Sequence, residues 1–211
     1  MEKVSFGPIW NDIQKVRDSE SLDGAVQLAN QYLMSDPTNE EALLQLVDIY
    51  YVKGELEKAE KPVNFLLHAN NPSIDKTMLY YIKAVISVDK TLWDDARKFI
   101  KLALKDNPKN PEFLRIYGLS EFWSGNKSKG FEILKQSLEN GSLDAEILLD
   151  LVSMAMKMQD FDSAMEYVNV YFKYRAKLKF FSNPTDYYDG RMKTYKDFLV
   201  EKNNKDGNSN V

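Results

Sequence analysis

The chain has 211 residues, 44% apolar and 28% charged, with a formal net charge of −4 and no cysteine. That length and composition fit one ordered globular domain with a sizeable core. They exclude disulfides and thiolate chemistry, and the acidic balance argues against a nucleic-acid binder, whose phosphate contacts need an excess of Lys and Arg.

The opening residues, MEKVSFGPIWNDIQKV, lack the charged segment, apolar stretch and small-residue cleavage site of a secretory signal. No apolar run reaches the ~18 residues of a spanning helix, so no membrane span is expected and the chain reads as cytoplasmic. Amphipathic patterns then follow one another at 21–40, 40–54, 55–72, 76–90, 92–111, 111–125, 144–158 and 161–172. In each, apolar residues return at i, i+3, i+4 and i+7, the period of a helix with one buried face. Pro62 falls inside one of these runs, where it removes a backbone hydrogen bond and should kink the helix. The link NNPSIDK is enlarged, so stacking should be irregular there. Residues 184–202 carry Tyr188, Met192, Tyr195 and Leu199 at helical spacing, and the polar tail NNKDGNSNV (203–211) reads as disordered.

The helical runs repeat. Small residues Ala25, Ala59, Ala96, Gly130 and Ala164 stand 34, 37, 34 and 34 residues apart, and Pro37, Pro72 and Pro108 close the first three units. A small residue lets two antiparallel helices approach where they cross, and alanine does so without loss of helix propensity. Proline lacks an N–H and disfavours helical geometry in the residue before it, so Pro108 ends one unit and Pro111 starts the next.

A helix-turn-helix period of 34 residues with this pattern resembles the tetratricopeptide repeat. The matching positions in residues 40–73 are Leu43, Leu46, Val47, Tyr50, Gly54, Ala59 and Leu66, with Pro72 one place late. Those in 77–110 are Tyr80, Ala84, Ala96, Ile100, Ala103 and Pro108, with Ser87 in place of the aromatic. In 111–144 they are Leu114, Tyr117, Gly118, Gly125 and Leu134, with Gly130 in place of alanine and no closing proline. Residues 145–178 offer Leu148, Leu151, Ala164 and Val168, and 6–39 offers Ala25, Ala29, Tyr32 and Pro37. The resemblance implies an all-α, right-handed helical solenoid of about five helix-turn-helix repeats over residues 6–178, closed by a capping helix at 179–202.

No catalytic constellation emerges. Asp94 with Asp95, Glu40 with Glu41, and Asp160 with Asp162 sit at predicted helix starts, where anions meet the positive end of the helix dipole. The single histidine, His68, reads as a helix-end residue bonding local carbonyls. Asp160 and Asp162 begin no calcium loop, the glycines are scattered at turns, and the two glycosylation triplets at Asn126 and Asn140 read as accidental. The basic run KYRAKLK (173–179) is read as a helix C-terminus complementing the dipole. No cofactor and no metal is expected, and the chain reads as a non-enzyme.

In the resembling family the first helices line a concave groove that receives a peptide or partner helix. Carried over by position, the lining would be Trp10, Gln14 and Arg17, then Leu44, Asp48, Tyr51 and Val52, then Tyr81, Val85 and Val88, then Arg115, Leu119, Phe122 and Trp123, and last Leu149, Ser153 and Met156. The Lys, Asn and Arg clamp with which such modules hold the acidic C-terminal tails of chaperones is replaced here by Trp10, Gln14, Leu44, Asp48, Tyr81 and Val85, so that partner is not expected. An aromatic and aliphatic groove around one cation, Arg115, suits an apolar or amphipathic protein segment. The expected function is a protein-interaction scaffold or adaptor. The alternative is a subunit of a homo- or hetero-oligomer that associates through its repeats, and a small-ligand or enzymatic solenoid ranks last.

Overall fold

The computed structural model describes residues 7–19, 21–69, 75–141, 143–180 and 183–208. Among these residues there are α-helices, one short 3-10 helix and no β-strand. In chain order the helices are α1 (Pro8–Ser19), α2 (Leu22–Ser35), α3 (Glu40–Val52), α4 (Leu56–His68), α5 (Lys76–Asp89) and α6 (Trp93–Asp106). They continue with α7 (Pro111–Trp123), α8 (Lys127–Asn140), α9 (Ala145–Met158), α10 (Phe161–Tyr174) and α11 (Thr185–Asn208). The fold of these residues is all-α, with successive helices joined in pairs by short turns. No described helix is long and apolar enough to cross a membrane.

Asn and Asp side chains start four of the helices that open pairs. Asn39, Asp75, Asn110 and Asp144 cap α3, α5, α7 and α9, each accepting from backbone N–H groups of the first turn. Asn110 accepts from Glu112 and Phe113 at 3.0 and 3.1 Å, and Pro111 takes the first helical position, where its missing N–H is no loss. The four described turns within pairs share one geometry. Gly54, Thr91, Gly125 and Gln159 all have positive φ, at 70°, 56°, 103° and 63°. The next residue's N–H then reaches back to the helix, as Glu55 does to Tyr50 O and Asp160 to Ala155 O at 2.9 Å, so the last carbonyls are satisfied.

The chain divides into two compact units between Leu92 and Trp93. The helix pair expected at 77–110 is thereby split, with α5 in the first unit and α6 in the second. In the first unit, Ile13 of α1, Ala25 and Ala29 of α2, and Ala42, Leu46 and Ile49 of α3 form one buried cluster. Leu43, Leu66 and Leu79 join α3 to α4 and α5, and Val47, Ala59, Val63 and Ile86 make a further set across the same helices. Helix α4 runs through Pro62, which is buried. Residues 70–74, which include Pro72 and most of the expected enlarged link, lie outside the described residues.

In the second unit the core gathers Phe122 of α7, Phe131 and Leu134 of α8, Leu148, Leu151 and Val152 of α9, and Ala164, Val168 and Tyr171 of α10. Tyr188, Met192 and Leu199 of α11 complete it, on the face expected of a cap. A backbone bridge precedes that helix: Lys179 N–H donates to Leu143 O and Ala145 N–H donates to Lys179 O, both at 3.0 Å. The expected disordered tail needs correction, because α11 runs past 202 to Asn208. Glu201 and Lys205 stand at the favourable i, i+4 spacing in that extension, and no helix breaker precedes Gly207. Residues 209–211 lie outside the described residues.

Candidate functional site

The residues expected to line a binding face fall into two sets. In the first unit, α1 and α3 are joined by polar contacts along that face. The Trp10 backbone N–H donates to Glu41 Oε2 at 2.8 Å, and wholly buried Gln45 donates through Nε2 to Trp10 O at 3.2 Å. Arg17 pairs with Asp48, so Asp48 is already engaged by its own chain. Leu44, Tyr81, Val85 and Val88 are half-buried, and Leu44 packs against the Leu43, Leu66 and Leu79 cluster. At the end of α3, Tyr51 is 37% and Val52 54% exposed. These two are the most open apolar side chains of the expected lining in this unit.

The second unit treats its set differently. Leu119, Leu149 and Met156 are partly buried against the main core, and the Ser153 hydroxyl meets Tyr195 OH of α11 at 3.1 Å. Phe122 is 1% exposed and belongs to the core itself, because the close approach of α8 turns that side of α7 inward. Trp123, its neighbour, is 41% exposed and stacks on Trp93 with ring centres 6.1 Å apart.

Arg115 is the cation around which the groove was expected to form, and its surroundings revise that picture. Its guanidinium holds both Glu112 oxygens and Asp150 Oδ2 at 2.9 Å, with Glu146 Oε2 at 3.5 Å. Glu146 also accepts from Tyr188 OH at 3.0 Å. Three carboxylates therefore surround one cation, leaving the locality anionic. Burial opposes the charge of Arg115, but the carboxylates of Asp150, Glu112 and Glu146 win and hold its pKa well above the ordinary value. Burial raises the pKa of Asp150, and Arg115 offsets this only in part.

A second charged cluster lies between α6, α7 and α8, and sequence reasoning missed it. Glu121, 1% exposed, accepts from Lys129 and Asn126 at 2.7 Å. Arg97 and Lys101 approach it to 3.8 and 3.9 Å. Burial works to raise its pKa, but hydrogen bonds from Lys129, Asn126 and Tyr117 and the Lys129 charge overcome this and bring it to about 2. The one available signal was Trp93, Arg97 and Lys101, which recur every four residues along one stripe of α6.

The remaining chemical candidates are structural. His68 Nδ1 lies 2.6 Å from Asn64 O, the local helix-end bond expected of it. Asp160 caps α10 by accepting from Ser163 N–H at 3.1 Å. Within the basic run, Arg175 is held by Asp189, with 2.5 Å between Nη2 and Oδ2.

Residues 17–72 match the sequence model described as tetratricopeptide repeat. No curated protein matches the chain in sequence. Among solved structures it is similar to a tetratricopeptide repeat protein from Parabacteroides merdae, at 18% identity and TM-score 0.71 over 95% of this chain and 77% of that one. It is also similar to TTC0263 of Thermus thermophilus, at 19% identity and TM-score 0.65 over 91% and 97%. A third similar structure is YrrB, described as having an unusual peptide-binding site, at 16% identity and TM-score 0.60 over 77% and 82%.

Proposed function

We propose, from the premise that this chain is a tetratricopeptide-repeat protein, that it is a non-enzymatic scaffold or adaptor in the cytoplasm and binds a protein partner on the faces of its first helices. The observation that carries this reading is the pair Tyr51 and Val52, left 37% and 54% exposed beside the Arg17–Asp48 ion pair. Exposed apolar side chains beside fixed charges suit an amphipathic segment. In the first unit the face comprises Trp10, Leu44, Asp48, Tyr51, Tyr81 and Val85. In the second it comprises Arg115, Leu119, Trp123, Leu149 and Met156, with Phe122 acting from beneath as core. The peptide-binding site in the printed description of YrrB is consistent with this use of the fold.

The test compares partner capture by wild-type protein and by a Tyr51→Ala, Val52→Ser variant, with circular dichroism and melting as controls for folding. Loss of a specific partner from a variant of unchanged stability supports the reading; equal capture by both proteins removes the first-unit face from it. A Phe122→Ala variant is unsuited to this purpose. It empties a core position, and roughly 3–5 kcal/mol of stability should go with it.

Self-association is the second reading, favoured by Tyr187, Phe198 and Val200, which are 45%, 49% and 44% exposed on α11. A solution mass that stays monomeric across concentration would eliminate it.

A further inference from the structure

We infer that the seam between α6 and α7 is a second docking surface, one that takes an acidic protein segment carrying an apolar side chain next to its carboxylates. This rests on the reading of the chain as a protein binder, and of the first-helix residues named above it shares only Trp123.

The geometry is a ladder. Helices α6 and α7 pack against each other, and three pairs across them succeed one another in antiparallel order: Trp93 on Trp123, Arg97 toward Glu121, and Lys101 over the Tyr117 ring at 5.4 Å. From α8, Lys129 joins the ladder, lying over the same Tyr117 ring at 5.4 Å while it holds Glu121. Three cations thus converge on one buried carboxylate. Glu121 is ionised at neutral pH and is satisfied by Lys129 and Asn126. Lys101 stands beyond hydrogen-bond distance from it and keeps its donors for another acceptor.

Charge complementarity selects the occupant. Arg97 is further paired with Asp94 at 2.6 Å, which still leaves the ladder with more cations than anions. The sequence around the ladder is also rich in cations: residues 93–129 hold eight Lys and Arg, of which Arg115 is taken up by its own carboxylates, against five Asp and Glu, in a chain whose net charge is negative. Lys101 and Lys129 are 51% and 54% exposed, so an incoming carboxylate can reach both, and it relieves their mutual repulsion. At the other end of the ladder Trp123 offers a flat apolar platform, 41% exposed and stiffened by its stacking on Trp93 and its edge contact with Phe122. A segment with carboxylates at one end and a leucine or aromatic side chain at the other satisfies both ends of the seam together.

The three tryptophans of the chain make this testable. Trp93 and Trp123 lie on the seam and Trp10 lies on α1. The indole N–H signals of the full chain, assigned through Trp→Phe variants, are followed by NMR as a synthetic peptide with a short run of glutamates beside a Leu-Phe pair is added. The expected result is a saturable shift of the Trp93 and Trp123 signals with Trp10 unmoved. Lys101→Ala should weaken binding about fivefold or more, while Lys109→Ala, an equal charge change elsewhere in the same basic stretch, should change it less than about twofold. No shift, equal weakening by the two lysine variants, or binding of a phosphoserine peptide where the glutamate peptide fails would overturn the inference. The Tyr51→Ala, Val52→Ser variant should leave the indole shifts intact, so this surface and the first-unit face fail independently.

Discussion

Gly118 and Gly130 meet backbone to backbone where α7 crosses α8. A Cβ placed on Gly130 would lie 2.6 Å from the Gly118 carbonyl oxygen and 2.5 Å from the Phe122 nitrogen, distances that no side-chain adjustment relieves. Glycine therefore stands where the other repeats have alanine because this pair of helices is closer than alanine allows.

Gly130→Ala should lower stability by about 1–3 kcal/mol in urea denaturation, since the helices must move apart. The same substitution at Gly190, in α11 with nothing within 4 Å of the added Cβ, should raise it by up to about 1 kcal/mol through helix propensity. Opposite signs for one chemical change would separate packing from propensity.

The left-handed turn positions give a second prediction. Thr91 and Gln159 hold a conformation that glycine holds at Gly54 and Gly125, and Thr91 is β-branched, so it bears the larger strain. Thr91→Gly should stabilise the protein by about 1 kcal/mol and Gln159→Gly by less, read as shifts in the urea midpoint without change of slope.

Acid should expose the Glu121 cluster. Its folded pKa of about 2 lies below the ordinary 4.5, so its contribution is present above the unfolded value and is lost as pH falls from about 4.5 towards 2. Half-buried Asp150 has a raised pKa and acts in the opposite direction. Comparison of wild type with Glu121→Gln isolates the first effect. The variant should be less stable at pH 7 by at most on the order of 3 kcal/mol, and the gap should close as pH approaches 2. A gap independent of pH would assign the loss to packing instead.

Arg115→Met should be strongly destabilising at neutral pH, by roughly 3–5 kcal/mol, because Glu112, Glu146 and Asp150 are left facing one another without their cation. Adding Asp150→Asn should restore part of that loss. Denaturation of the single and double variants then gives a coupling energy, and simple additivity would show that the residues do not act as one cluster.

Much of the fold was legible because small residues and prolines punctuate the chain. Ala25, Ala59, Ala96 and Ala164 are wholly buried at helix crossings, and Tyr188, Met192 and Leu199 turn inward as their spacing required. The division at Leu92 and Trp93 was not legible, since the repeat pattern runs through it unbroken. Along the first helices expected to line a binding face, sequence position distinguished first helices from second but could not rank exposure. Phe122 and Trp123 are adjacent and both aromatic, yet one is core and the other surface. Glu146 and Asp150 stand one turn apart on α9 and could be read as a same-face acidic pair. That Arg115 lies between them depends on a contact across two helices, which no local spacing encodes.

The backbone bridge at Lys179 sets how this protein would answer a mechanical pull on its C-terminus. Tension applied beyond α11 would first peel that helix, a few side-chain contacts at a time, along Leu199, Met192 and Tyr188. Once the slack is gone the force meets Lys179, whose N–H and C=O are both tied to residues at the start of α9. Those two bonds must break together, so the bridge acts as a stop between detachment of the last helix and rupture of the helices beneath it.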